Sequence, residues 1–300
     1  MLAKSITPRS AATPGPAVPE LPEVETTRRG VDPLIVGRRL EDFDVRDSRL
    51  RWPVALPASL AGQALIQIDR RAKYLLFVFE QGVLILHLGM SGSLRVLNRD
   101  APFLKHDHLV LNFEGDRSLR LHDPRRFGSA HWQPTPPGAD PLETAVTHPL
   151  LCDLGVEPLD PAFDGAYLKS RAQRRRVAVK NFIMDGHVVV GVGNIYANEA
   201  LFLAGIRPTV QAGRVSLAGY DALAARIRQV LAAAIQMGGT TLRDFVNQDG
   251  NPGYFRQVLN VYDREGEPCP LCETPLKGIR LGGRATVYCS KCQRAQGFRK

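Results

Sequence analysis

The chain is predicted to be a multidomain α+β protein, with a β-rich N-terminal domain, a helical middle and a short cysteine-bearing end. Three observations carry this. Apolar runs with strand-like pattern fill residues 64–130. Segments near 164–172, 178–184, 194–204 and 216–237 repeat their apolar residues at helical spacing, and the second and third flank Asp185–Gly193 (DGHVVVGVG), too glycine-rich to continue a helix. The last 40 residues hold Cys269-Pro-Leu-Cys272 and Cys289-Ser-Lys-Cys292 on what should be short strands. The expected middle is therefore a helix, a pair of turns, then a helix opening at Asn194.

Composition bounds the answer. The 300 residues suffice for two domains and a sizeable core. No apolar run approaches the roughly 18–20 residues a membrane helix needs. The net charge of +9 is uneven: residues 151–300 hold 20 Lys+Arg against 13 Asp+Glu, and residues 1–150 hold 19 against 17. A basic second half points to a polyanionic partner, with a solvated basic surface as the plain alternative.

Residues 1–18 (MLAKSITPRSAATPGPAV) have three prolines, two basic residues and no acid. They read as disordered, as a targeting segment, or as the product of a misassigned start codon. A helix is expected from Pro22: proline suits a first turn, Glu23 and Glu25 complement its positive end, and Gly37 can stop it. Pro33 makes its last turn doubtful. Leu75–Phe79 and Val83–Leu88 should form strands joined by a short turn, with Leu109–Phe113 and Leu119–Leu121 continuing a sandwich or flattened barrel. Gln133–Pro141, with four prolines and a glycine, should link the domains.

Two CxxC knuckles sixteen residues apart supply four thiolates, the ligand set of a closed tetrahedral zinc site. With Cys269, Cys272, Cys289 and Cys292 all bound, no coordination position stays open, so the ion is structural. Between the knuckles LGGRATV (Leu281–Val287) suits a hairpin, with Arg284 near its turn for a phosphate or groove contact. Cys152 stands apart and suits a small buried hydrophobe.

PELPEVE (Pro19–Glu25) bears directly on chemistry. A terminal proline has a secondary amine, which condenses with a sugar aldehyde to a charged iminium, an electron sink. A proline inside a chain cannot do this. Val18 directly precedes Pro19, and a GTG start codon is written as valine within a reading frame. Residues 1–18 are accordingly expected to be absent from the mature enzyme.

Several long segments together resemble the formamidopyrimidine-DNA glycosylase family of bacterial base-excision repair. They are PELPEVETTRRG at 19–30, RRAKYL at 70–75, HLGMSGSLR at 87–95, KHDH at 105–108, DPRRFG at 123–128, VVGVGNIYANEALF at 189–202, GGTTLRDF at 238–245, the Tyr262–Cys272 segment and RATVYCSKCQ at 284–293. The resemblance spans about residues 19–293. It implies a catalytic β-sandwich over 19–134, a linker over 135–150, a helix–two-turn–helix DNA-binding domain over 151–254 and a zinc finger over 255–300.

The resemblance also implies a reaction and its residues. An oxidised purine, chiefly 8-oxoguanine, leaves the duplex for a pocket because its sugar carbon is inaccessible in the stack. The Pro19 amine attacks C1′, Glu20 shuttles protons, and the strand is cut by β and δ eliminations. Glu23 supports the site, with helix-dipole complementation as its structural alternative. Met90, Arg125 and Phe127 fill the hole, Arg125 facing the orphaned base, expected to be cytosine. Lys73, His106, Asn194 and Arg284 clamp phosphates, and the resemblance favours His106 over His108. Lys180 falls in a substrate-contact region, and Thr240–Tyr254 is expected to read the lesion. Lys73 has a snorkelling surface lysine as its alternative, and Asn194 a plain N-cap. One structural zinc, a duplex DNA partner, a monomeric state and the bacterial cytoplasm follow from the same resemblance. Two other readings stand beside it. One is an endonuclease VIII-type enzyme for oxidised pyrimidines. The other is a lesion-binding protein without catalysis, in which Pro19 stays blocked and Lys73 or Lys180 is at best a poorer amine.

Overall fold

A computed structural model describes residues 19–238 and 259–294. Residues 1–18 and the Thr240–Tyr254 stretch expected to read the lesion lie outside the described residues. The chain opens with helix α1 (Leu21–Ile35), whose Val24, Val31 and Ile35 are buried at helical spacing. Pro33 sits inside its last turn without ending it: the Val36 N–H still reaches the Asp32 carbonyl, 3.0 Å away. A proline there forfeits one bond near the end, while Ile35 gains full burial.

Eight strands then build a sandwich: β1 (Leu40–Val45), β2 (Leu65–Arg71), β3 (Tyr74–Phe79), β4 (Gly82–His87), β5 (Ser93–Asn98), β6 (Asp107–Phe113), β7 (Arg117–His122) and β8 (Ser129–Pro134). They form two antiparallel sheets ordered β1-β6-β7-β5 and β2-β3-β4-β8. Two separate sheets decide between sandwich and flattened barrel. Phe77, Phe79, Leu84, Leu86, Leu111, Phe113 and Leu121 pack between them with the apolar stripe of α1.

Strand β3 reads as a continuous apolar run because both its faces are covered. Leu75, Phe77 and Phe79 face the sandwich interior, while Leu76 and Val78 join Val83, Ile85, Ala145 and Leu151 in an outer cluster. The expected linker is thus partly structural. β8 continues to Pro134, and α2 (Pro141–Ala145), capped by the Asp140 carboxylate on the Leu142 and Glu143 N–H groups, lies on the outer face.

The helical unit consists of α3 (Gly165–Ala172), α4 (Val179–Ile183), α5 (Asn194–Leu203) and α6 (Leu217–Gln236). Each lies within two residues of its expected span. Phe182, Tyr196, Leu201, Tyr220 and Leu231 anchor a second core. A final antiparallel hairpin, β9 (Lys277–Leu281) and β10 (Arg284–Tyr288), turns at Gly282-Gly283, so Arg284 is the first residue after the turn. No helix among the described residues is long and apolar enough to cross a membrane.

Candidate active site and nucleic-acid interface

The first turn of α1 is driven against the first turn of α5. Pro19 and Glu20 are buried. The Glu20 carboxylate accepts the Gly193 and Ile195 N–H groups, both at 2.8 Å, and the Tyr196 N–H at 3.4 Å. A Cβ at residue 193 would collide with the Glu20 carboxyl carbon, so any larger residue there would displace this carboxylate. Glu23 closes a capping box on the Glu20 N–H at 2.9 Å and accepts the Tyr196 hydroxyl at 2.8 Å. Two helix N-termini, each a positive dipole end, therefore converge on two carboxylates. Burial nevertheless raises the Glu20 carboxyl to about 7, against the opposing pull of Lys73 and the Ile195 and Tyr196 N–H groups.

Lys73 is presented by the two-residue turn between β2 and β3. It is half-buried rather than a snorkelling surface lysine, and its charge is felt by Glu20, Glu23 and Arg284. Burial lowers its ammonium below the ordinary lysine value, with both glutamates resisting. The turn is gripped from the helical unit. Glu157 pairs with Arg70 and Arg71, both at 2.9 Å, and accepts the Ala72 N–H at 2.6 Å. Ala72 has a φ of 56°, a left-handed conformation costly for a residue with a Cβ.

Asn194 opens α5, as expected, but the N-cap is Gly193 and the free N–H groups already serve Glu20. An anion of the substrate would meet the Asn194 side chain, not an empty helix end. The Asn194 Oδ1 accepts from Lys180 Nζ at 2.7 Å, and its side chain shares a hydrogen bond with the Tyr262 hydroxyl. Lys180, expected to lie in a substrate-contact region, is engaged within the protein. It is fully buried, and its three N–H donors go to Asn194 Oδ1, the Ala285 carbonyl and Thr286 Oγ1. Burial first, then the Arg284 charge, lowers its ammonium to about 7. Lys180 thus ties Asn194 to β10, whose first residue is the exposed Arg284.

Met90, Arg125 and Phe127 come together on two back-to-back loops. Gly89 has a φ of 66°, and a Cβ there would strike the backbone of Phe127 and Gly128. The buried Asp123 carboxylate accepts Ser91 Oγ at 2.6 Å, the Gly128 N–H at 2.7 Å and the Arg125 N–H at 3.3 Å. Arg125 and Phe127 are exposed, and Met90 is half-buried. Next to them, His87 accepts the Gly89 N–H on Nδ1 at 3.0 Å, which requires a neutral ring there. Burial, with the charges of Lys73 and Arg51, lowers His87 to about 4. The two candidate histidines separate clearly. His108 is buried, and its Nε2–H donates to the Asp123 carbonyl at 2.9 Å. His106 is half-buried on the same rim, its ring 6.0 Å from that of His108.

Cys152, expected as a small buried hydrophobe, is instead exposed, on the segment after α2. The sulfurs of the other four cysteines lie within 4.8 Å of one another. Tetrahedral zinc with Zn–S bonds of about 2.3 Å spaces its thiolates roughly 3.8 Å apart. Cys269–Cys292 at 3.9 Å and Cys272–Cys289 at 3.5 Å suit that geometry. The donor set fits one structural zinc with no open position.

Comparison with known proteins gives a consistent answer along the chain. Residues 18–130 match the formamidopyrimidine-DNA glycosylase N-terminal domain, 154–246 the H2TH domain of the same glycosylase, and 266–295 a zinc finger found in FPG and IleRS. The formamidopyrimidine-DNA glycosylase of Methylococcus capsulatus is 59% identical over 279 residues, covering 92% of this chain and 100% of the relative. The chain belongs to the formamidopyrimidine-DNA glycosylase family.

Other relatives agree. The formamidopyrimidine-DNA glycosylase of Acidithiobacillus ferrooxidans is 56% identical over 279 residues, 92% of this chain and all of the relative. The Lactococcus lactis Fpg in complex with abasic-site DNA superposes with a TM-score of 0.82 at 31% identity, covering 92% of this chain and 99% of that one. The MutM (Fpg) protein of Thermus thermophilus gives a TM-score of 0.78 at 38% identity, over 92% and 98% of the two chains. Within this family member three carboxylates escaped sequence reasoning: Asp123 under the loops that carry Met90 and Phe127 (the wedge loops, after the gap-filling role expected of them), Glu157 under the Lys73 turn, and Glu199. Glu199 accepts the Asn260, Val261 and Tyr262 N–H groups at 2.8–2.9 Å, which sets the Tyr262 hydroxyl against Asn194. Asp123 alone had a sequence signal, an Asp-Pro turn start followed by Gly128.

Proposed function

We propose that this protein is a bifunctional DNA glycosylase and AP lyase that removes oxidised purines from duplex DNA through the amine of Pro19. The observation that carries the reading is the placement of Pro19 beside a buried Glu20 whose carboxyl titrates near neutrality, with Lys73 opposite. A carboxyl at about 7 is protonated often enough to give a proton and ionised often enough to take one back. The Pro19 nitrogen forms a bond to C1′ of the damaged nucleotide. The C1′–N bond to the base breaks, and the base leaves with its electron pair and takes up the proton lost from the amine. Glu20 protonates the sugar ring oxygen as the C1′–O bond breaks, so the ring opens to an iminium. The iminium acidifies C2′–H; its loss expels the 3′ phosphate, and a second elimination expels the 5′ phosphate. Hydrolysis of the remaining iminium frees Pro19.

This chemistry needs a free proline amine, so residues 1–18 are absent from the working enzyme. The start of the family match at residue 18 supports that, as does coverage of the relatives' full length by 92% of this chain. Lys73, His106, Asn194 and Arg284 hold phosphates of the lesion strand, and Arg125 reads the orphaned base while Met90 and Phe127 fill the gap. The enzyme acts as a monomer in the bacterial cytoplasm, its curated relatives being bacterial.

Borohydride trapping on an 8-oxoguanine·cytosine duplex, with the adduct mapped by mass spectrometry, tests the reading. The expected result is a DNA adduct on Pro19 in a chain that begins there. Binding without any adduct would instead establish a lesion sensor, the outcome chemistry dictates if Val18 stays joined to Pro19. Faster cleavage of a thymine-glycol duplex would move the substrate to oxidised pyrimidines.

A further inference from the structure

Three arginine–aromatic stacks lie on the wedge loops or on the segment fastened to them. The Arg125 guanidinium lies 5.2 Å from the Phe127 ring centre, that of Arg51 4.5 Å from Trp52, and that of Arg46 4.0 Å from Phe103. All six side chains are exposed. Segment 46–52 is fastened to the same platform as the wedge. The Arg51 N–H donates to the Gly128 carbonyl at 3.1 Å, and the Asp47 N–H to the His108 carbonyl at 3.3 Å. The Asp47 carboxylate pairs with Arg126 at 2.6 Å and Arg49 at 2.9 Å. Phe103 is held from beneath, 4.2 Å from the buried Arg120 guanidinium, which donates to the Arg99, Ala101 and Pro102 carbonyls.

Asp47 pairs with both Arg49 and Arg126 and so holds their side chains, whereas Arg46 and Arg51 have no ion-pair partner among the described residues. An exposed guanidinium stacked on an aromatic ring keeps its N–H fork free while its orientation is fixed, which suits bidentate phosphate binding. The residues assigned to the lesion strand leave the other strand with Arg125 alone. We propose that Arg46 and Arg51 bind backbone phosphates of the strand that carries the orphaned base. The proposal rests on the duplex-repair reading above.

The test measures affinity for a duplex bearing a tetrahydrofuran abasic analogue opposite cytosine, by fluorescence anisotropy over a salt series. R46Q and R51Q are each expected to bind several-fold more weakly, with a log-log salt slope shallower by about 0.9. Neutral methylphosphonates flanking the orphaned base should weaken the wild type to the level of the R46Q/R51Q double variant and leave the double variant unchanged. Wild-type affinity in both variants overturns the proposal. So does a loss that persists on the neutralised orphaned strand, or one abolished by methylphosphonates in the lesion strand instead. If the wild type fails to bind the abasic-analogue duplex at all, the duplex-repair reading falls and takes this proposal with it.

Discussion

The Glu20 carboxyl is pulled in opposite directions by its surroundings. Burial favours the neutral acid, while two close backbone donors at the α5 N-terminus and the Lys73 charge favour the anion. Burial wins, and the group titrates at about 7. The proline amine, with an ordinary α-amino value of about 7.7–8.0, must be neutral to attack. On the proposed mechanism, base excision needs a protonated Glu20 and a deprotonated Pro19, so its rate should rise with pH up to about 7, level off, and fall above about 8. In E20Q the acid requirement disappears. Single-turnover excision in E20Q should be about 10²–10⁴-fold slower, and the falling alkaline limb should be lost while the rising limb remains. A variant that keeps the alkaline fall would assign it to another group.

At the scale of single elements, the β2–β3 turn shows how Lys73 is held beside Glu20. A left-handed alanine is unfavourable by roughly 1–2 kcal/mol, so the turn needs outside support. Glu157 supplies it through Arg70, Arg71 and the Ala72 N–H. E157Q should destabilise the protein by about 1–3 kcal/mol in denaturant unfolding, since the pairs are mostly buried but not dry. It should also slow excision by more than it weakens binding, because Lys73 rides on the turn. Equal losses in both would argue against the aiming role. None of this was legible in the sequence. RRAK reveals a basic turn, but its acidic partner lies 85 residues away in another domain. The strands β3, β4, β6 and β7 were legible because their apolar patterns are dense. β1 (LEDFDV) and β8 (SAHWQP) were not, because one is a half-exposed edge and the other mixes polar and aromatic residues. The cysteine knuckles were legible because metal ligation constrains spacing directly, whereas the burial of Lys180 depends on Thr286 and Ala285, more than 100 residues along the chain.

Across the whole molecule, the zinc hairpin is wired into the site rather than appended to it. β10 gives Lys180 two of its three partners, and the Asn198 side chain on α5 accepts the Val287 N–H at 3.0 Å. The second knuckle docks on the loop after α5, where Arg207 donates to the Ser290 and Gln293 carbonyls and the Gln293 side chain donates to the Ile206 carbonyl. The hairpin has little apolar core of its own, so its fold depends on the metal. Zinc removal should therefore act twice: Arg284 loses its fixed position, and Lys180 loses the partners that hold it against Asn194. Verified zinc-free protein is expected to bind the abasic-analogue duplex at least tenfold more weakly and with a shallower salt dependence, since fewer phosphates are neutralised. A small, uniform weakening with an unchanged salt slope would mean that the hairpin stiffens the fold without contributing a phosphate contact. Amide exchange gives a second measure. Protection should fall in β9, β10 and the first turn of α5 together, while the sandwich strands β3 and β4 keep theirs, because the sandwich has a core of its own.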